Sequence, residues 1–303
     1  VTDRIMLLDT ASQYFRAFYG VPDKVKAADG TSVNAARGLL DMIAKLVTTY
    51  EPTRLVACWD DDWRPAWRVA LLPSYKAHRV VEAVPSGTDV EEVPDPLEAQ
   101  IPVIRAVLEV LGIPIVGAAE HEADDVIGTL ATRADAPVDI VTGDRDLFQL
   151  IDDDRGIRIV YTARGMSNLE IVDDAAVIRK YGVHAAQYAD FAVLRGDPSD
   201  GLPGVAGVGE KSAASLLAAC GDLDGIRAAA ADGSAGTPAQ RAKILAASDY
   251  LEVAPTVVRV ARELELDPYD DRLRPVDEEA ATSLADTWNL GSSMTRALTA
   301  LRR

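Results

Sequence analysis

Apolar residues run almost unbroken over three short stretches, RIMLLD at residues 4–9, RLVACWD at 54–60 and VDIVTGD at 138–144, and each ends on an aspartate. Runs of this length predict buried strands. A shorter run, IPIVG at 113–117, predicts a fourth. Between them the apolar period becomes helical, over 33–49, 98–111 and 123–134; in the last, Val126, Ile127, Leu130, Ala131 and Ala134 make one stripe. Strands alternating with helices predict an α/β fold with a mostly parallel sheet flanked by helices. Such sheets bind ligands beyond the carboxyl ends of their strands, so Asp9, Asp60 and Asp144 are expected to face one crevice.

From about residue 175 the chain becomes helical and alanine-rich. The expected division is an α/β domain over 1–180 and a helical domain over 181–303. In the second half a helix is expected over 184–195, then a stretch punctuated by Gly and Pro, then another helix. The segment GVAGVGEKS at 204–212 departs from a nucleotide phosphate loop, because Glu210 separates the second glycine from Lys211 and no strand precedes it. What remains is a helical hairpin over 184–220. Backbone N–H groups around Gly204, Gly207 and Gly209, with Lys211, suit a phosphate there. The alternative is a tight interhelical turn. Further helices are expected over 237–252, with Thr237 as cap and Pro238 at the first position, and near 278–301.

With 48% apolar residues and no uninterrupted apolar run near the ~18 that a membrane helix requires, the chain reads as globular. No basic-then-apolar leader opens it, so the expected location is the cytosol. Cys58 and Cys220 belong to no C-x-x-C pair, and His78, His121 and His184 lack ligand spacing. Carboxylates are then the remaining metal donors.

A formal net charge of −17 speaks against a nucleic-acid partner unless acids hold divalent ions and the basic residues cluster elsewhere. Over 61–79 they do cluster: Arg64, Arg68, Lys76, His78 and Arg79 interleave with Trp63, Trp67 and Tyr75. That mixture suits phosphate contacts and base stacking, or else an amphipathic helix with snorkelling arginines. Residues 80–97, with three prolines and the acids Glu82, Asp89, Glu91, Glu92 and Asp95, are expected to be a long mobile loop.

The densest acidic stretch is 117–150, with Glu122, Asp124 and Asp125 at one end and Asp144 and Asp146 at the other. Two unit charges about 4 Å apart repel by roughly 4 kcal/mol at an effective dielectric near 20, so convergent carboxylates require cations or protons. The alternative is a helix N-terminus enriched in acids, followed by a turn.

The segments LLDTASQYFRAF from Leu7, WDDDWRPAWR from Trp59, LPSYKAHR from Leu72, EADDVIGTLA from Glu122, TGDRDLFQL from Thr142 and GDPSDGLPGVAGVGEKSAA from Gly196 together resemble the motifs of bacterial 5′ nucleases. These belong to the flap endonuclease family and are similar to the N-terminal exonuclease domain of DNA polymerase I. The resemblance spans residues 5–250. It implies a PIN-like α/β nuclease domain followed by a helix-two-turn-helix (H2TH) DNA-binding domain. The implied activity is structure-specific 5′-flap endonuclease and 5′-3′ exonuclease cleavage of duplex DNA bearing a flap, nick or 5′ end, with two or three Mg²⁺ or Mn²⁺ ions.

By the same resemblance, one ion lies near Asp9, Asp60, Glu122, Asp124 and Asp125, and another towards Asp144, Asp146, Asp197 and Asp200. Lys76 and Arg79, in an arch over 63–97, steer and polarise the scissile phosphate. Tyr75 is available for stacking, and Arg16, Arg64 and Arg68 meet DNA. A potassium ion is expected on the backbone carbonyls of Val205 and Val208.

Two departures stand out: Gly201 replaces a common asparagine, and segment 80–97 is longer and acidic. A monomer without a following polymerase domain is expected. Two alternatives remain open, an RNA-directed nuclease, for which the helical hairpin is superfluous, and a silent DNA-binding protein, which gains nothing from uncompensated acids.

Overall fold

The computed structural model describes residues 3–84, 89–273 and 275–302. Strands β1 (Ile5–Asp9) and β2 (Arg54–Cys58) are the first two apolar runs. A small hairpin follows, β3 (Val80–Glu82) with β4 (Val90–Glu91), then β5 (Ile115–Val116), β6 (Val138–Thr142), β7 (Ile157–Tyr161) and β8 (Glu170–Val172). The main sheet has the order β5-β2-β1-β6-β7-β8, parallel except for β8. Because β2, β1 and β6 are neighbours, Asp9, Asp60 and Asp144 leave adjacent strand ends on the same side of the sheet.

Alternation along β1 sends Ile5 and Leu7 into one apolar core and Met6 and Leu8 into the other, as a strand covered on both faces requires. Helices α1 (Thr10–Gly20) and α2 (Asn34–Tyr50) join β1 to β2. Next come α3 (Ala66–Leu71), α4 (Asp95–Glu98), α5 (Ile101–Val110) and α6 (Ala123–Arg133). Leu39, Ile43 and Leu46 of α2 and Ile104 and Val107 of α5 fill one face; Val126, Ile127 and Leu130 of α6 fill the other.

Beyond β8 lie α7 (Asp174–Tyr181), α8 (Tyr188–Arg195), α9 (Glu210–Cys220), α10 (Leu223–Asp232), α11 (Pro238–Ala246) and α12 (Ser248–Val258). Helices α13 (Glu278–Thr287) and α14 (Gly291–Leu301) end the chain. The expected single helix near 278–301 is thus two, broken where Asn289 (φ 51°) and Gly291 (φ 47°) turn the backbone left-handed. The helix expected over 237–252 is likewise two, α11 and α12.

The helical second half does not stand apart from the first. Met294, Leu298 and Leu301 of α14 pack into the core with α2 and α5, so the C-terminus returns to the sheet. Tyr188, Phe191 and Leu217 share the opposite core with α6 and β7, and Tyr188 meets Phe148 edge-on at 5.2 Å. The chain after α12 also lies against α6, where a Cβ on Gly128 would stand 2.5 Å from the Ala261 carbonyl.

Segment 80–97 also differs from the expected loop. It forms the β3–β4 hairpin, in which Val80 pairs with Glu91, and then α4. Its residues 85–88 lie outside the described residues. Asp89 fastens the hairpin, taking an ion pair from Arg64 while its carbonyl accepts Trp63 Nε1 at 2.8 Å.

The hairpin between α8 and α9 meets the basic segment at Gly201. Its φ is +71°, and a Cβ there would lie 2.0 Å from the Ser74 carbonyl oxygen, while Lys76 N donates to the Asp200 carbonyl at 3.0 Å. Glycine at 201 therefore permits two backbones to touch. Gly201→Ala is expected to lower unfolding free energy by about 1–3 kcal/mol through left-handed strain and the clash. Urea unfolding followed by circular dichroism checks this.

Candidate active site

Asp9 closes β1 and caps α1, accepting from Ser12 N at 3.1 Å; its other oxygen accepts from Thr142 Oγ1 at 2.6 Å. Asp9 is thus a helix cap, and the side chain still lines the cavity beyond the strand ends. That cavity, about 370 Å³, also receives Asp60, Asp124 and Asp144. Asp60 is fixed by accepting from Ala123 N at 2.7 Å, at the first turn of α6. Thr142 also accepts from Asp144 N at 2.8 Å, and Asp144 in turn accepts from Asp146 N at 2.8 Å. Thr142 thus orients acids from two strands, a role its place before Gly143 and Asp144 did not announce.

Electrostatics show how close these acids are. Burial, then the charges of Asp60 and Asp144, push the Asp9 carboxyl up to about 7 against the hydrogen bonds from Thr142 and Ser12. Burial also pushes Asp124 well above the carboxylate range, reinforced by Asp144, Asp9 and Glu122. Asp146 moves the same way, through burial and then Asp144, Asp200 and Asp197. Burial raises Asp60, opposed by the Ala123 N–H, and raises Asp200, opposed by Lys76. Asp144 acts on both sets, Asp9 with Asp124 and Asp146 with Asp200.

Among the described residues no three such side chains enclose a point as they stand. A buried oxygen of Asp146, Oδ1, has no hydrogen-bond partner. Oxygen donors that repel one another, one of them orphaned, fit hard divalent cations such as Mg²⁺ or Mn²⁺.

Four of the nine expected ligands pair with protein cations, Asp200 only with Arg79 at 3.5 Å and the other three more fully. Asp125 is fully buried; Arg68 grips it with two bonds of 2.8 and 2.7 Å, and its oxygens also accept from Ala261 N at 2.7 Å and Glu122 N at 3.3 Å. No lone pair remains for an ion, which corrects its assignment as a ligand. Glu122 accepts from Arg68 at 2.8 Å and Tyr75 Oη at 2.6 Å and pairs with Lys76 Nζ. Asp197 accepts from Ser199 N at 2.9 Å, Arg195 at 3.0 Å and Arg145 at 3.5 Å, and also from Ser199 Oγ.

The expected DNA contacts are corrected in the same region. Arg68 is 2% exposed, its Nε bound to the Val257 carbonyl at 3.0 Å, so it ties α3, α6 and the end of α12 together rather than meeting a phosphate. Arg64 is buried, donating to the carbonyls of Tyr75 at 2.6 Å and Pro73 at 3.1 Å. Tyr75 is buried as well and has no face for a base. The basic and aromatic interleaving thus builds an internal brace against the acids of α6.

Lys76, with φ 47°, is buried and lines the cavity. Burial works against its charge, but Glu122, Tyr75 and Asp200 keep it protonated. Arg79 lines the same cavity and donates to the Ser199 carbonyl at 3.0 Å and to Asp200 at 3.5 Å. Arg16 lines it too; its Nε is buried and unpartnered. Glu91, from the hairpin, is a lining residue the sequence reading passed over.

At the α8–α9 hairpin, Gly204 and Gly207 have left-handed backbones, and Gly207, Gly209 and Lys211 are exposed. The Val205 and Val208 side chains are buried; the Val205 carbonyl accepts from Val208 N at 2.9 Å, and Lys243 Nζ donates to the Gly207 carbonyl at 2.9 Å. A lysine ammonium therefore already occupies one carbonyl of the loop expected to hold potassium.

Comparison with known proteins follows the same division. Residues 4–182 match the family model of the 5′-3′ exonuclease N-terminal resolvase-like domain, and residues 183–279 match that of the 5′-3′ exonuclease C-terminal SAM fold. The chain is 60% identical to a 5′-3′ exonuclease of Streptomyces coelicolor, over 98% of this chain and 99% of that one. It is 49% identical to a 5′-3′ exonuclease of Mycobacterium tuberculosis, over 98% and 97%. A DNA polymerase I of Mycobacterium bovis is 43% identical over 72% of this chain but only 23% of its own length. Among solved structures, T5 5′-exonuclease with bound zinc shares the fold at a TM-score of 0.65 and 16% identity, covering 99% of this chain and 100% of that one. By the two domain models and the full-length relatives, this chain belongs to the 5′-3′ exonuclease family.

Proposed function

We propose that this 5′-3′ exonuclease cleaves phosphodiester bonds at 5′ ends, nicks and flaps of duplex DNA, using divalent ions held by Asp9, Asp60, Asp124, Asp144, Asp146 and Asp200. The observation that carries the proposal is the set of mutually repelling carboxylates at adjacent strand ends, with an unpartnered Asp146 oxygen. Asp9, Asp60 and Asp124 would hold one ion and Asp146 and Asp200 another, with Asp144 near enough to both sets to serve either. When bound, Mg²⁺ or Mn²⁺ there would supply Lewis acidity and neutralise charge on the attacked phosphate.

The chain's own groups do the rest. Thr142 and Ser12 hold Asp9, and Ala123 N holds Asp60, so the donors stand in place before substrate arrives. Lys76 and Arg79 bring positive charge to the cavity, where a phosphate oxygen can take over from Glu122 or Asp200. Arg16, on α1 beside Gly143, adds a third basic group. The α8–α9 hairpin offers exposed backbone at Gly207 and Gly209, with Lys211, to a duplex backbone without reading bases. Lys243 on the Gly207 carbonyl stiffens that loop, and a potassium ion on the Val205 and Val208 carbonyls would add to it. The T5 exonuclease with zinc and a Rad2 catalytic core with DNA substrate, both of this fold, support the ion and DNA parts of the reading. The protein is expected to work as a monomer.

The decisive assay is cleavage of labelled 5′-flap DNA, nicked duplex and matched RNA with Mg²⁺, Mn²⁺ or chelator. Cleavage of DNA with metal and none with chelator is expected; metal-independent cleavage, or preference for RNA, would overturn the reading. Asp124→Asn and Asp125→Asn should part company. Asp124→Asn is expected to abolish cleavage and, in chelator, to raise thermal stability by removing repulsion, whereas Asp125→Asn should lose about 3 kcal/mol by taking from buried Arg68 its bidentate partner and leaving it Glu122 alone. Thermal melts beside turnover distinguish them. Lys76→Ala should lower kcat more than DNA affinity, read by single-turnover kinetics and binding titration.

The pH dependence of stability has a definite sign. Folding lifts the Asp9 pKa from 3.8 to about 7, so the folded state binds the extra proton in that interval. Without divalent ion, the stability Asp9 contributes is greatest below about 4 and is lost as pH rises through about 7. Adding Mg²⁺ at pH 8 should restore it, as measured by melting temperature.

A further inference from the structure

Glu91 reaches the active-site cavity from an element that the nuclease motifs do not include. It lies on β4, opposite Val80, and the same hairpin is tied back by the Glu92 N–H to the Arg79 carbonyl at 2.9 Å. Its carboxylate stands 4.0 Å from Arg79 Nη1, while the other guanidinium nitrogen faces Asp200 at 3.5 Å. Its side chain keeps 20% of its exposure, and it lines the cavity shared by Asp9, Asp60, Lys76 and Asp124. Tyr14 of α1 lines the same cavity. The hairpin is fixed by Asp89 to Arg64 and Trp63, so the charge is held in position rather than trailing in solvent.

A fixed carboxylate at that place has a consequence for substrate. Arg79 is a cation available to phosphate at the cavity mouth, and it is already shared between two acids. A strand extending 5′ of the scissile bond must carry further phosphates past the mouth, where a negative charge repels each of them. A 5′ end at a nick sends little or no chain that way. We propose that Glu91 is a specificity-determining residue that disfavours long single-stranded 5′ extensions relative to nicked or recessed 5′ ends, through repulsion and by competing with substrate phosphate for Arg79. This rests on the proposed 5′-nuclease function of the same cavity and extends it to the choice of substrate.

The test is steady-state cleavage by wild type, Glu91→Gln and Glu92→Gln on a long 5′-flap duplex and on a nicked duplex of the same sequence, at low and high salt with saturating Mg²⁺. Glu92 is exposed and one residue away, so its variant carries the same change in net charge without the placement. Glu91→Gln is expected to raise kcat/KM on the flap about fivefold, chiefly through KM, and to change the nick less than twofold, with the gain shrinking as salt rises. Glu92→Gln should leave both near wild type.

Equal changes on flap and nick, an equal gain from Glu92→Gln, or loss of cleavage on both substrates would each overturn the assignment to Glu91. A folding defect is recognised by melting temperature, in which case Glu91→Asp, keeping charge with a shorter reach, must lie between wild type and Gln on the flap for the assignment to stand. If wild type cleaves neither DNA with metal, the underlying function fails, which is distinguishable from a wild type that cleaves both with Glu91→Gln unchanged.

Discussion

Everything in this molecule turns on the cost of bringing carboxylates together at the end of a parallel sheet. The order β2-β1-β6 places Asp9, Asp60 and Asp144 side by side, and α6 adds Asp124 from above. Burial, reinforced by neighbouring carboxylates, raises the pKa values of Asp9, Asp60 and Asp124, and among the described residues a buried Asp146 oxygen has no hydrogen-bond partner, so the folded chain holds an unfavourable arrangement of the kind that divalent cations relieve. Such stored cost is a common mark of a working site.

The chain limits that cost by pairing several of the acids with its own cations. Arg68 engages Asp125 and Glu122, Lys76 engages Glu122, and Arg195 with Arg145 engages Asp197. These pairs also do structural service. Arg68 bonds to the Val257 carbonyl, and Asp125 accepts from Ala261 N, so the segment after α12 is fastened to the same helix turn that presents Asp124. Gly128 allows the close approach of Ala261 on which this fastening depends, and Gly201 allows the separate approach of the α8–α9 hairpin to Ser74.

Much of this was legible in the sequence. The three strand-end aspartates, the helix after Glu122 and the hairpin between α8 and α9 follow from apolar period and turn chemistry, and the parallel sheet follows from their alternation. The basic segment at 61–79 was misread because interleaved arginines and aromatics look the same in one dimension whether they face solvent or an internal acid. The missing clue was balance: Glu122 and Asp125 lack a neighbouring base in sequence, so their counterions had to come from elsewhere, and Arg68 and Lys76 were available. Glu91 was hidden because its inward direction depends on the register of a two-stranded hairpin. The return of α13 and α14 to the sheet was hidden too, because an amphipathic stripe shows that a helix packs, not against what.

The central claim is a division of labour among nine acids, with six proposed for ions, Asp200 among them although Arg79 shares it, and Glu122, Asp125 and Asp197 held by protein cations. Crystals soaked in Mn²⁺ and measured for anomalous scattering test it directly. The account predicts anomalous peaks within bonding distance of Asp9, Asp60, Asp124, Asp144, Asp146 and Asp200, with Arg68 still bidentate on Asp125. A peak bonded to Asp125 with Arg68 displaced would contradict it.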